Sequence, residues 1–181
     1  GQSDDQMSPV LVLVGVPGAG KTTVGQSIAA TLGVEFDDTD QMIELREGRS
    51  VADIFVQDGE QRFRDIEHDV VAQAVANHRG VLALGGGAVL DADSRRLLRG
   101  IPTVWLQVDT DTAVRRVGLN APRPVLLGNV RGQLKSLTLE REPLYTEVAD
   151  MAIDTTDRAP AELAEQIIAE FGLSGEEEQR S

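Results

Sequence analysis

Residues 15–22 read GVPGAGKT, which is the G-x-x-x-x-G-K-[ST] spacing in full. Glycines in such a loop let backbone N–H groups converge on phosphate oxygens, and a helix opening there adds partial positive charge. Lys21 is spaced to reach the β- and γ-phosphates of a nucleoside triphosphate, and the Thr22 hydroxyl to ligate Mg²⁺. Gly18, Ala19, Gly20, Lys21, Thr22 and Thr23 are therefore the expected triphosphate cradle. A glycine-rich turn can match the pattern by chance. The apolar run before it and the helical spacing after it make chance a poor explanation.

A second set of groups could serve an acceptor. Asp38-Thr39-Asp40 puts two carboxylates two residues apart at the end of a predicted strand, the edge at which open α/β sheets bind ligands. The best apolar strand, residues 81–84, does not end in an acid but runs into Gly85-Gly86-Gly87. Asp38 is then the expected outer acid of the metal, acting through water, and Asp40 is placed to hydrogen-bond or deprotonate an attacking hydroxyl. Helix capping would explain one such acid, and Asp37 is given that role. The triple glycine predicts main chain open to a small ligand. Arg64 falls close to the apolar side of a predicted helix, so it needs either an internal acid such as Glu67 or an anionic ligand. Arg141 precedes Glu142-Pro143, where the proline is expected to end or redirect a helix. Taken singly, either arginine is better explained by ordinary ion pairing. The N-K-x-D element of a GTPase is absent.

These groups need a scaffold that gathers strand ends. Short β-branched runs at 10–14, 34–38, 81–84, 103–108 and 151–153 alternate with helical spacings at 22–32, 41–47, 51–58, 60–77, 94–98, 112–117, 132–145 and 160–171. Residues 10–14 (VLVLV) are continuously apolar, as a strand buried on both faces must be. Strand–helix alternation means βαβ crossovers and a parallel sheet between helical layers. Residues 118–131 break the rhythm with two prolines and two glycines, and an arginine at their centre, Arg123, predicts a lid.

Composition excludes several classes. Asp and Glu number 30 against 17 Lys and Arg, a net charge of −13 over 181 residues, which disfavours nucleic acid and anionic membrane as partners. Only 3% of residues are aromatic, too few for a stacking platform on single strands. Cysteine is absent, so disulfides, thiol catalysis and zinc–thiolate sites are ruled out. No apolar run reaches the roughly 18 residues of a membrane span, and no secretory signal is seen, so a cytoplasmic location is expected. Polar ends at 1–8 and 174–181 predict disordered tails around a single domain at 9–173. His68 and His78 are read as solvated helix positions and Trp105 as packing.

The P-loop, the DTD at 38–40, F-R-x-I-E at 63–67, GGG at 85–87, R-P at 123–124 and R-E-P-L-Y at 141–145 together resemble the shikimate kinase family. The resemblance runs from about residue 10 to 171. It implies a P-loop kinase fold of the nucleoside-monophosphate-kinase type, with five parallel strands in the order 2-3-1-4-5. It also implies ATP-dependent phosphorylation of the shikimate 3-hydroxyl on the route to chorismate, with Mg²⁺. By the same resemblance Arg64 and Arg141 clamp the substrate carboxylate, and Asp40 binds ring hydroxyls. Gly86 and Gly87 lie against shikimate, and Arg123 reaches the transferring phosphate. Phe55, Phe63 and Glu67 line and brace the acceptor region, while Arg116 and Pro160 form part of the adenine pocket. Val125 departs from the R-P-L-L frequent in the family. A monomer is expected.

Two other readings stay open on the residues. One is a small P-loop kinase acting on gluconate or a nucleotide, for which Arg49 and Arg62 would be the spare phosphate-binding arginines. The other is an inactive nucleotide-binding regulatory module, which retention of Lys21, Thr22, Asp38, Asp40 and Arg123 argues against.

Overall fold

The computed structural model describes residues 8–120 and 129–174. Five strands carry the sheet: β1 (Leu11–Val14), β2 (Phe36–Asp38), β3 (Val81–Ala83), β4 (Thr103–Gln107) and β5 (Met151–Asp154). The helices between and after them are α1 (Lys21–Leu32), α2 (Thr39–Glu47), α3 (Val51–Asp58), α4 (Glu60–Asn77), α5 (Ala92–Leu97), α6 (Thr110–Asn120), α7 (Val130–Val148) and α8 (Pro160–Phe171). All strand pairs are parallel, in the order β2-β3-β1-β4-β5. This is the order that the sequence resemblance implies.

Every residue of β1 is at most 1% exposed, so helices must cover both faces of the sheet there. Helix α1 packs on α8 and β3, and α7 packs on β4. Leu13 pairs with Ala83, and Ala83 in turn with Asp38. The chains leaving β1, β2 and β3 therefore emerge side by side at one edge. The main core spans the sheet with α1 and α8. A separate apolar cluster of Ile43, Ile54, Phe63, Ile66 and Val70 joins α2, α3 and α4, so the acceptor side has a foundation of its own.

Three expectations are corrected. Helix α6 continues through Asn120 and α7 begins at Val130, so residues 118–120 and 130–131 are helical rather than part of an irregular lid. Residues 121–128, with Arg123, lie outside the described residues, as do 1–7 and 175–181 of the predicted tails. Pro143 does not end a helix, because α7 runs through it to Val148. The bond it forgoes would have gone to the carbonyl of Leu139, an exposed residue whose carbonyl solvent can serve. The histidines are not simply solvated. His78 is 8% exposed and bonds Asp37 at 2.9 Å through Nε2, while Nδ1 accepts from the Gly80 N–H. His68 pairs with Asp91.

Candidate active site

The loop between β1 and α1 is built on backbone that only glycine adopts readily: Gly20 has φ 94° and caps α1. Space is equally restrictive, because a Cβ on Gly15 would lie 2.7 Å from the Leu106 carbonyl. Lys21 Nζ donates to the carbonyls of Gly15 (2.6 Å) and Val16 (3.2 Å). Burial pulls its ammonium down to about 8, against the pull of Asp38 and Asp40. Thr22 and Thr23 stand exposed at the first turn of α1. Arg116, on α6, donates to the Gly18 carbonyl at 3.0 Å. It also reaches Thr155 (3.4 Å to Oγ1) at the end of β5. Sequence reasoning gave Arg116 only to an adenine pocket. In the fold it also holds the loop.

On the acceptor side the three residues of DTD do three different things. The Asp38 side chain, not that of Asp37 as expected, caps α2 by accepting from the Asp40 N–H at 2.7 Å, which uses one of its oxygens, while Asp37 bonds His78 instead. The Thr39 hydroxyl, fully buried, accepts from the Gly85 N–H at 2.9 Å and ties β2 to the glycine loop. Asp40 lies against that same loop, since a Cβ on Gly85 would meet its Oδ1 at 2.5 Å.

The triple glycine is explained by crowding from charged side chains. A Cβ on Gly86 would lie 3.2 Å from Arg141 Nη1, and one on Gly87 2.5 Å from Arg64 Nη1. Protein side chains thus occupy much of the space that the sequence left for a ligand. Arg64 bonds Glu67 at 2.7 Å through Nη1, as one of its two sequence readings had it. Burial raises the Glu67 pKa, with Arg64 acting in the opposite direction. Arg141 is 8% exposed. Among the described residues the buried Nε–H groups of Arg64 and Arg141 have no hydrogen-bond acceptor. A buried guanidinium N–H without a hydrogen-bond acceptor is costly. Glu60 lies 3.6 Å from Arg64 Nε as an ion-pair partner only, and the forked donors of a guanidinium match a planar carboxylate.

Behind these groups, Tyr145 on α7 donates to the Gly86 carbonyl at 2.6 Å, and burial pushes its phenol up to about 12. Phe55 and Phe63 stack with centroids 4.7 Å apart on the acceptor side. Lys21, Thr22, Asp38, Asp40, Gly86, Arg116 and Pro160 line one cleft of about 740 Å³. Arg64, Gly87 and Arg141 adjoin it around the glycine loop. Arg158 also lines the cleft, beside Pro160, and was not singled out from sequence; nor were Thr39, Tyr145 or Thr155. The spare arginines of a nucleotide acceptor are otherwise employed or placed: Arg49 bonds Gln57 at 2.8 Å and pairs with Asp58, and Arg62 is exposed.

Comparison with known proteins agrees with this geometry. The family model described as shikimate kinase matches residues 17–171. A shikimate kinase of Thermobifida fusca is 50% identical over 168 residues, covering 93% of this chain and 98% of that protein. One from Mycobacterium tuberculosis is 49% identical over 164 residues, covering 90% and 93%. Among solved structures, shikimate kinase from Acinetobacter baumannii in complex with shikimate superposes with a TM-score of 0.84. It is 36% identical and covers 92% of this chain and 94% of its own. A gluconokinase from Sinorhizobium meliloti, 18% identical with a TM-score of 0.56, shares the fold alone. With a matching family model and relatives half identical along nearly their whole length, the chain belongs to the shikimate kinase family.

Proposed function

We propose that this protein transfers the γ-phosphoryl group of ATP to the 3-hydroxyl of shikimate, giving shikimate 3-phosphate and ADP. The observation that carries the acceptor assignment is the pair Arg64, half-buried, and Arg141, buried, pressed against consecutive glycines, with no hydrogen-bond acceptor for either Nε–H among the described residues. A small polyol acid offers a carboxylate for that pair and hydroxyls for Asp40.

Phosphoryl transfer is mostly positioning and charge neutralisation. In this reading the amides of residues 18–23 and the Lys21 ammonium hold the triphosphate. Arg64 and Arg141 fix the acceptor by its carboxylate, with Gly86 and Gly87 beside it. Asp40 then aligns the attacking hydroxyl and can take up its proton. Arg116 and Pro160 hold the adenine end. Arg123, outside the described residues, is assigned to the transferring phosphate on the family resemblance. The hydroxyl of Thr22 and the carboxylate of Asp38 are hard oxygen donors of the kind Mg²⁺ takes, and both line the cleft. They would hold the ion, Asp38 through water, and the ion would supply neutralising charge on the phosphates. We take residues 9–173 as one kinase domain, acting as a cytoplasmic monomer; no described helix is long and apolar enough to cross a membrane.

A coupled ADP-release assay with MgATP tests the proposal, run in parallel against shikimate, gluconate and AMP. Turnover with shikimate alone is expected. Turnover confined to gluconate or AMP would overturn the acceptor assignment, and none with any acceptor would point to a binding module.

A further inference from the structure

Thr155, the first residue after β5, is buried (1% exposed) and lies 136 positions from the loop it touches. Its hydroxyl has one hydrogen, directed at the carbonyls of Ala19 (2.9 Å) and Gln107 (3.0 Å). The same oxygen is 3.4 Å from Arg116 Nη1, so the one hydrogen of the hydroxyl and one of its two lone pairs are engaged by protein. The Thr155 N–H also donates to Gln107, at 2.8 Å. The threonine is therefore fixed to β4 by its own backbone and offers its hydroxyl to the P-loop from a rigid base.

The consequence lies in the peptide between Ala19 and Gly20. That bond is trans, so its C=O and N–H point in opposite directions. Holding the Ala19 carbonyl on Thr155 sets the direction of the Gly20 N–H, one of the loop amides available to a phosphate. Gly20 sits at φ 94°, ψ 20°, and with no Cβ it opposes rotation of that peptide less than any other residue would. The preceding peptide is held separately, by Arg116 on the Gly18 carbonyl (3.0 Å) and by the Ala19 N–H on the Val16 carbonyl (3.1 Å). The neighbouring peptides of the loop are thus pinned from outside it, one by α6 and one by β5.

We propose that Thr155 is a positioning residue for nucleotide binding, acting through the Ala19–Gly20 peptide to pre-aim the Gly20 N–H at the triphosphate. The proposal rests on the nucleotide site set out above and adds to it a residue outside the P-loop. It needs only the hydroxyl, so Thr155→Ser should preserve the effect and Thr155→Val, close in shape, should abolish it.

The test measures dissociation constants for MgATP and, separately, for shikimate on the full chain and on both variants, with a thermal melt of each. In Thr155→Val the MgATP constant should weaken roughly three- to tenfold, the equivalent of one net hydrogen bond. The shikimate constant should stay within about twofold, and Thr155→Ser should bind both ligands like the parent. If Thr155→Val melts below the assay temperature, Thr155→Ala against Thr155→Ser makes the same comparison. Unchanged MgATP binding in the valine variant overturns the proposal. So does equal weakening for both ligands, or a serine variant as impaired as the valine. A parent chain that fails to bind MgATP overturns the nucleotide site itself, an outcome the parent measurement separates from the others.

Discussion

Asp40 is where the proposed chemistry is most exposed to test. Its Oδ1 lies against the glycine loop, and its backbone N–H is held by Asp38, so the side chain keeps its place when its charge is removed. Asp40→Asn should lower kcat by roughly 10²-fold, the scale of a positioned general base, while KM for ATP changes by less than about threefold. Steady-state kinetics with each substrate varied would check it, and near-normal turnover would remove Asp40 from the reaction. At this scale the sequence was readable where a motif is local. The P-loop spacing identified Lys21 and Thr22 because their relation to the loop is fixed within eight positions. Thr155 was invisible, and the roles of Thr39 and Tyr145 inside the DTD and R-E-P-L-Y runs could not be read, because each acts as a lone hydroxyl on a distant carbonyl or amide. Nothing in the spacing of Thr155 announces a partner 136 positions away.

Among the elements, the turn after β3 carries the sharpest constraint. Gly87 has φ −99° and ψ 2°, backbone that alanine can also adopt, so Gly87→Ala introduces crowding without backbone strain. The added methyl would sit 2.5 Å from Arg64 Nη1 and force the guanidinium off Glu67. KM for shikimate should rise by about tenfold or more, a displacement of about 1.4 kcal/mol, with KM for ATP nearly unchanged. Helices α4 and α5 are linked by His68 and Asp91, and the hydrogen bond to Asp91 raises the His68 pKa. A histidine with a raised folded pKa binds its proton more readily when folded, so its stabilisation is complete below the ordinary value near 6.5. It is lost as pH rises through the raised folded value. The pair is 41% and 31% exposed, so the effect is small. His68→Gln should lower Tm by less than about 4 °C in mild acid and converge with the parent in mild alkali, as melts across pH would record. Helix boundaries were read least well where a local signal met a tertiary one. Pro143 signals a stop, yet α7 continues through it, with Arg141 and Tyr145 buried on either side.

The whole molecule was the most legible scale. Unbroken apolar runs such as LVLV mark strands covered on both faces, and their alternation with helical spacing leaves little besides a parallel α/β sheet. The net charge of −13 describes the chain as a whole and not the sign of its cleft. The cleft and its margin gather Lys21, Arg64, Arg116 and Arg141, so an acidic protein presents a basic interior to two anions. What the sequence could not supply was the meeting of distant segments, which depends on strand order. That order places the P-loop on the central strand, with Arg64 following β2 on one side and Arg141 following β4 on the other. The acceptor pocket is therefore no detachable cartridge. A chimaera that imported β2 through α4 from another P-loop kinase would bring a new floor and one arginine arm, and would inherit the other arm unchanged from the host.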